Sequence, residues 1–262
     1  MRAVASVWVT DRDEAALVWF RIVRISNVQT VRWLLGAVNG WERPVQLRQA
    51  QRWVSRMETA GKIRRVHLGG PGGAVVWATF DVTQATKPNI HGQTTRHEIA
   101  VSAASARFAV AGWAWQRDDR PDKVGGHQAD GVAIGARDDA LLIEVELTPK
   151  RAPRYVQIFA AYSYRLDRGD ARRVVYLCNP DSARAVRTAL KQPMGRRVAD
   201  RVEVHDVFDP DTTFWAGETL PAWLTPPQAR LDANSPQPSD GATRAAARAK
   251  VDLVDVHQST WR

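Results

Sequence analysis

Cysteine is almost missing from this sequence. The one thiol, Cys178 in the apolar stretch VVYLCNP, allows no internal disulfide and no cysteine-rich zinc site. Its surroundings read as a buried core strand. Long apolar runs are missing too: none reaches the roughly 18 residues of a membrane span. The opening MRAVASVWVTDRDEA lacks the apolar stretch of a secretory signal, so the expected location is cytoplasmic, with no membrane partner. There is no P-loop, no paired CxxC and no Ser/His/Asp order, which leaves phosphate cradles of that type and serine-hydrolase chemistry without support. Acidic charge is in deficit: 28 Asp+Glu against 37 Lys+Arg give a formal net charge of +9. A basic balance favours nucleic acid or another anionic surface as partner.

Apolar residues make up 44% of the 262, enough to core one large domain or two ordinary ones. Thr10 with Asp13 three residues on has the form of a helix N-terminus, followed by Ala16, Leu17, Phe20 and Val23 at helical spacing. Ser26 with Gln29 predicts a second capping box, opening a helix with Val31, Leu34 and Leu35. A third helix is expected over about 45–60, stopped by Gly61. The runs IRRVHL and AVVWATF, joined through GGPGG, predict a hairpin with a glycine-rich tip.

Three helices and then a hairpin predict a winged helix-turn-helix over residues 8–80. Its third helix would be the recognition helix, burying Leu47, Ala50, Val54 and Met57 with Trp53 beside them. Arg48, Gln49, Arg52 and Arg56 fall on the other face. With Arg64 and Arg65 of the hairpin, they are the candidate contacts to phosphates and base edges of double-stranded DNA. Residues 1–85 hold twelve Lys+Arg against six Asp+Glu, so most of the positive excess lies here. The competing reading is a solvated basic face on a domain used for dimerisation, with a homodimer as partner.

Residues 81–95 are polar and read as a linker. From 96 to 208 the expected order is helix, three strands, helix, strand, helix, strand: an α/β unit containing a parallel βαβ crossover. In ALLIEVELTPK, Glu144 and Glu146 share one face of a strand that is otherwise apolar. If a turn at 136–138 makes a hairpin with the preceding strand, Asp130 comes opposite Glu144. Three carboxylates on one face repel one another unless they bind a cation, and Mg2+ or Mn2+ held by one or two carboxylates plus substrate phosphates is the fitting class. Asp130, Glu144 and Glu146, with Lys150 four residues beyond, are therefore the candidate catalytic set around such a cation. His97 at the helix start is a capping or site candidate, Glu98 beside it is an acid that the helix dipole favours, and His127 alone reads as structural. Arg151 and Arg154 would pair with the acids if the face were only structural. Thr225 onward is rich in Pro, Ala and Ser, so 225–262 is expected to be a disordered tail.

The Asp on the second strand and the E-x-E on the third, in that helix–strand order, resemble the PD-(D/E)xK nuclease fold. The resemblance implies a restriction-endonuclease-like αβββαβ domain, with Asp130 and Glu144 matching its metal ligands and Glu98 an acid on the first helix that can line the site. Position 146 carries Glu where that fold usually has Lys. The whole chain, through TDRDEAAL, RWVSRMETAGKIRR, GGAVVWAT, HEIAV, ADGVAI and IEVELTPKRAPRYVQIFAAY, resembles the replication-relaxation family of actinobacterial plasmids and integrative elements over about residues 8–208. That implies a DNA-binding protein of a mobile element, and the nuclease-like fold adds Mg-dependent nicking or cleavage of DNA as the reaction it would carry. The alternative is a non-catalytic regulator on a degenerate nuclease fold.

Overall fold

Helix α1 (Asp11–Val23) starts as the sequence predicts: the Thr10 side chain accepts from the Asp13 amide, and Asp13 accepts from the Thr10 amide. A short strand, β1 (Ile25–Asn27), follows at once, so Ser26 lies in a strand and does not cap. Asn27 caps α2 (Val28–Val38) instead, its Oδ1 accepting from the Thr30 amide at 2.8 Å. Asn and Ser are equally good caps, and the strand claims Ser26. Helix α3 (Leu47–Thr59) begins two residues later than expected, on Gln46. Ala50, Trp53, Val54 and Met57 are buried, but Leu47 is 38% exposed and drops out of the expected stripe. The computed structural model describes residues 7–68, 73–92, 94–120, 126–136 and 139–224. The expected glycine-rich tip, part of the 136–138 turn and the tail all fall outside the described residues.

Strands β2 (Ile63–His67) and β3 (Ala74–Ala78) form the expected antiparallel hairpin. β1 pairs on its far edge, making a three-stranded sheet of order β1-β3-β2. Gly36 in α2 permits a close approach: a Cβ there would sit 2.2 Å from the Arg43 carbonyl oxygen. That contact sets the path of the chain into α3.

The expected linker contains a four-residue helix, α4 (Phe80–Thr83), before α5 (Thr95–Val110). α5 is buried almost all round. Ala106 and Val110 join the core of α1–α3, while Ala100, Ala104 and Phe108 join the core under the second sheet. Trp19 donates to Ser105 Oγ at 2.9 Å, and Ser102 donates to Ser26 at 3.0 Å. One helix is thus shared between the N-terminal elements and the sheet that follows.

That sheet has the order β4-β5-β6-β7-β8, with β4 (Ala114–Gln116), β5 (Gly131–Ile134), β6 (Ala140–Glu146), β7 (Arg173–Cys178) and β8 (Val202–Asp206). β4, β5 and β6 are antiparallel, while β6, β7 and β8 are parallel. The parallel pairs are joined through α6 (Ala152–Asp167), and through α7 (Pro180–Leu190) with α8 (Pro193–Arg196), the long crossovers that parallel pairing needs. Alternation divides the strands cleanly. Ile143, Val145, Val175 and Leu177 pack toward α5. Leu142, Val174, Tyr176 and Cys178 pack with Ile158, Phe159 and Tyr162 of α6. Each fully buried Val, Leu, Ile or Phe contributes about 1.5–3 kcal/mol. α7 is capped by Asn179 rather than Asp181 or Ser182; its Oδ1 accepts from the Ser182 amide at 2.9 Å, and Pro180 takes the first helical position.

The mixed α/β class matches expectation, as does the order from α5 to β8 apart from the short α8, whereas β1 and α4 are elements the sequence reading did not expect. No helix among the described residues is long and apolar enough to cross a membrane.

Candidate functional site

The β5–β6 register, Gly131↔Ile143, carries Asp130 to the position across from Glu144. Asp130 lies just before β5, and its amide donates to the Ile143 carbonyl at 3.0 Å. Its Oδ2 accepts from the Val145 amide at 2.7 Å. Gly131 makes room beside it: a Cβ there would meet the Trp115 ring at 2.2 Å. Two residues on, the β6 side chains turn toward α6, so Glu144 and Glu146 sit on the same face as Leu142 and are each 3% exposed.

Every one of these carboxylates has a partner in the protein. Asp130 Oδ1 lies 3.0 Å from His97 Nε2, on the first turn of α5. Glu144 Oε1 lies 2.8 Å from His127 Nε2 and also accepts from the Tyr162 hydroxyl of α6. Lys150 places its ammonium on Glu146 Oε2. The Lys150 amide donates to Tyr155 Oη at 3.1 Å, which fixes the chain where β6 hands over to α6.

A buried ion pair braces the approach to Asp130. Asp118 is 7% exposed and is gripped by both Nη atoms of Arg165, at 2.6 and 2.8 Å. It also accepts the Ala129 amide at 2.7 Å. Residues 128–130 are thereby tied to α6.

The electrostatics follow from burial and crowding. Burial, and then the Glu144 charge, hold the Asp130 carboxyl well above the usual carboxylate range. Burial likewise raises Glu146 against the pull of Lys150. Burial lowers His97, so it favours the neutral ring. Burial and Glu144 push the Tyr162 phenol far up, which keeps it a proton donor to Glu144. Tyr176, across from Glu144 on β7, is raised in the same way, and its hydroxyl is buried without a partner.

Among the described residues, no group of three or more His, Cys, Asp or Glu side chains is arranged to hold a metal ion. Two crowded carboxylates are nonetheless the number that Mg2+ takes when substrate phosphates and water complete its shell. The donor set of Asp130 and Glu144 fits that class and no cysteine-rich one.

The acids do not pair with Arg151 or Arg154; Arg154 donates to Gln157 at 3.2 Å instead. Glu98 is held by Arg117 at 3.1 Å. His127 proves to be a partner of Glu144, not an isolated structural ring. Tyr162 was the residue that sequence reasoning missed. Its signal was a phenol inside the buried α6 stripe of Ile158, Phe159 and Leu166, because a buried hydroxyl demands a polar partner. A broad, mostly apolar groove of about 1130 Å3 between α6 and α7–α8 has Lys150 at one end, and none of the three acids lines it.

The candidate DNA face is smaller than the sequence suggested. Arg48 and Arg52 are exposed on α3, as is Arg64 on β2. Gln49 is exposed, but its Oε1 accepts the Gln46 amide at 2.9 Å as part of the helix cap. Arg56 was expected on the solvent face and turns inward. Its Nη1 bonds Asp13 Oδ2 at 2.8 Å and the Trp8 carbonyl at 2.9 Å. Arg65 is bridged to Glu58 at 2.8 Å. Buried Asp13 attracts Arg56 across the α1–α3 contact, a demand invisible in local periodicity.

Compared with protein-family models, curated proteins and solved structures, the chain has no match.

Proposed function

We propose that the protein binds double-stranded DNA through its three N-terminal helices and hairpin, read as a winged helix. We further propose that it cuts or nicks a phosphodiester at the carboxylates of a second, nuclease-like unit. The observation that carries this reading is the pairing of Asp130 with Glu144: Glu144 is buried and Asp130 half-buried, and burial, then the Glu144 charge, raises the Asp130 carboxyl. Such a pair lowers stability relative to neutral isosteres, and perturbed carboxylates mark chemistry more than packing. Asp130 and Glu144 would hold Mg2+ or Mn2+, which when bound polarises a phosphoryl oxygen and acidifies water. Glu146 and Lys150 flank that position as a proton acceptor and a cation, and the neutral His97 ring orients Asp130. The resemblance to the replication-relaxation family supports a role on a mobile element.

A second reading has its own support. His97, His127, Tyr162 and Lys150 already satisfy the acids, as a non-catalytic DNA-binding regulator would require.

Calorimetry with Mg2+ and Mn2+ on the wild type and on Asp130→Asn/Glu144→Gln, followed by plasmid nicking, separates the two. Cation binding and nicking that both vanish in the double variant support the nuclease. Absence of both in the wild type sinks it and leaves the regulator. DNA affinity should fall by orders of magnitude between about 50 and 200 mM salt if several arginines neutralise phosphates; a flat response would remove the DNA assignment altogether.

A further inference from the structure

A second, smaller pocket lies away from the carboxylates. Arg107, on its wall, is ten residues along α5 from His97, roughly 15 Å at 1.5 Å per residue. The cavity holds about 100 Å3 and is lined by Thr30 of α2, Trp33, Arg107, Thr213, Trp215 and the acid Glu218, among others.

Arg107 is 5% exposed. Its guanidinium lies between two indoles, 4.6 Å from the Trp33 ring centre and 4.7 Å from that of Trp215. Nη1 donates to the Ala103 carbonyl at 3.1 Å, whereas Nε is buried and has no partner. No carboxylate among the described residues forms an ion pair with Arg107. Glu218 is the acid whose charge acts on it, and Arg32 engages Glu218 at 2.8 Å. Burial draws Arg107 down to about 9, so it stays protonated at neutral pH. A buried cation whose nearest acid is engaged by another arginine is expensive, and cation–π contacts offset that cost only in part.

Two further observations converge on the same space. The cavity opens on the first turn of α2, which carries no acidic residue; the partial positive charge of that helix end adds to the guanidinium. Thr213, also on the wall, has φ 60, a left-handed conformation that a β-branched residue rarely adopts. It is held there by its amide on the Asp209 carbonyl at 2.9 Å, beside Asp209 Oδ1 accepting the Thr212 amide at 2.8 Å. Strain of this kind gathers at ligand clamps.

We propose that this pocket binds a small oxyanion of the phosphate type. The Arg107 guanidinium is its counter-ion, and the α2 N-terminus adds its partial positive charge, its Thr30 amide being taken by Asn27 Oδ1. The space suits about three waters or one tetrahedral oxyanion and is too small for a nucleoside. Occupancy ties the Thr213–Glu218 segment to α2 and α5, coupling the N-terminal elements to the chain that follows β8. The source is either free phosphate or the phosphate at a nucleic-acid strand end.

The test is titration of the full chain with inorganic phosphate, replacing chloride at constant ionic strength, read by tryptophan fluorescence and calorimetry. Saturable binding of one phosphate per chain is expected. Arg107→Met should weaken it at least about tenfold, the size of one charge-assisted contact. Glu218→Gln, at an exposed acid, should tighten it several-fold by removing a like charge, and it decides the matter if Arg107→Met does not fold. Displacement of phosphate by a 5′-phosphorylated oligonucleotide, but not by its unphosphorylated form, identifies the strand end as source. Displacement by neither identifies the free ion. No saturation in the wild type, or unchanged affinity in Glu218→Gln together with any folded Arg107→Met, overturns the proposal.

Discussion

Replacing Asp13 by Asn removes one charge and almost no volume. Asp13 is 2% exposed and accepts from the Thr10 amide and hydroxyl at 2.8 and 2.7 Å, from Trp53 Nε1 at 2.8 Å and from Arg56. Burial alone would raise its pKa, yet Arg56, Thr10 and Trp53 together outweigh it and bring the carboxyl from 3.8 to about 2. At 1.36 kcal/mol per pH unit, that difference corresponds to about 2 kcal/mol. The sign is that of a depressed carboxylate: the stability is present above the unfolded value near 4 and is lost as pH falls through about 2. Asp13→Asn should therefore be about 2 kcal/mol less stable than the wild type in urea unfolding at pH 7. The gap should narrow as pH is lowered from 4 toward 2. A gap that stays constant with pH would show that packing or the cap carries the loss, and no gap at pH 7 would refute the charge reading of the α1–α3 contact.

Five further variants have outcomes set by the same contacts. Arg48→Ala/Arg52→Ala should lower DNA affinity and shrink its salt slope by roughly two, whereas Arg56→Ala should mainly lower the thermal midpoint, its guanidinium being spent on Asp13. Asp130→Asn should raise stability at neutral pH, because the raised Asp130 pKa means stability present below about 4 and lost as pH rises through the folded value; a thermal midpoint that falls at pH 7 would contradict this. Gly36→Ala should cost about 3 kcal/mol or more, because the clash is with the backbone of Arg43, while Tyr176→Phe should be neutral or stabilising by up to about 1 kcal/mol, since its hydroxyl has no partner; calorimetric unfolding reads both.

The candidate site was half legible in the sequence. Strand alternation alone put Glu144 and Glu146 on one face, and the distance from Asp130 across a short turn gave the register that β5 and β6 adopt. The partners were not legible. His97 reaches Asp130 from 33 residues away, and His127 reaches Glu144 from 17. Ser26 was a sound cap by composition and lost its place because β1 pairs with β3, a contact made 50 residues downstream.

What the sequence determined by itself is local: the Thr10–Asp13 box, the helical stripe through Ala50, Val54 and Met57, the period-two strands and the order of elements. Those depend on neighbours within a turn or a pleat, whose spacing is fixed by backbone geometry. Only the tertiary structure decided which charges meet. It turned Arg56 from the solvent face onto Asp13, closed Lys150 on Glu146, and enclosed Arg107 between Trp33 and Trp215. Burial raises the cost of an unpaired charge far above its cost in water, and burial is a property of the assembled core, which no local pattern specifies.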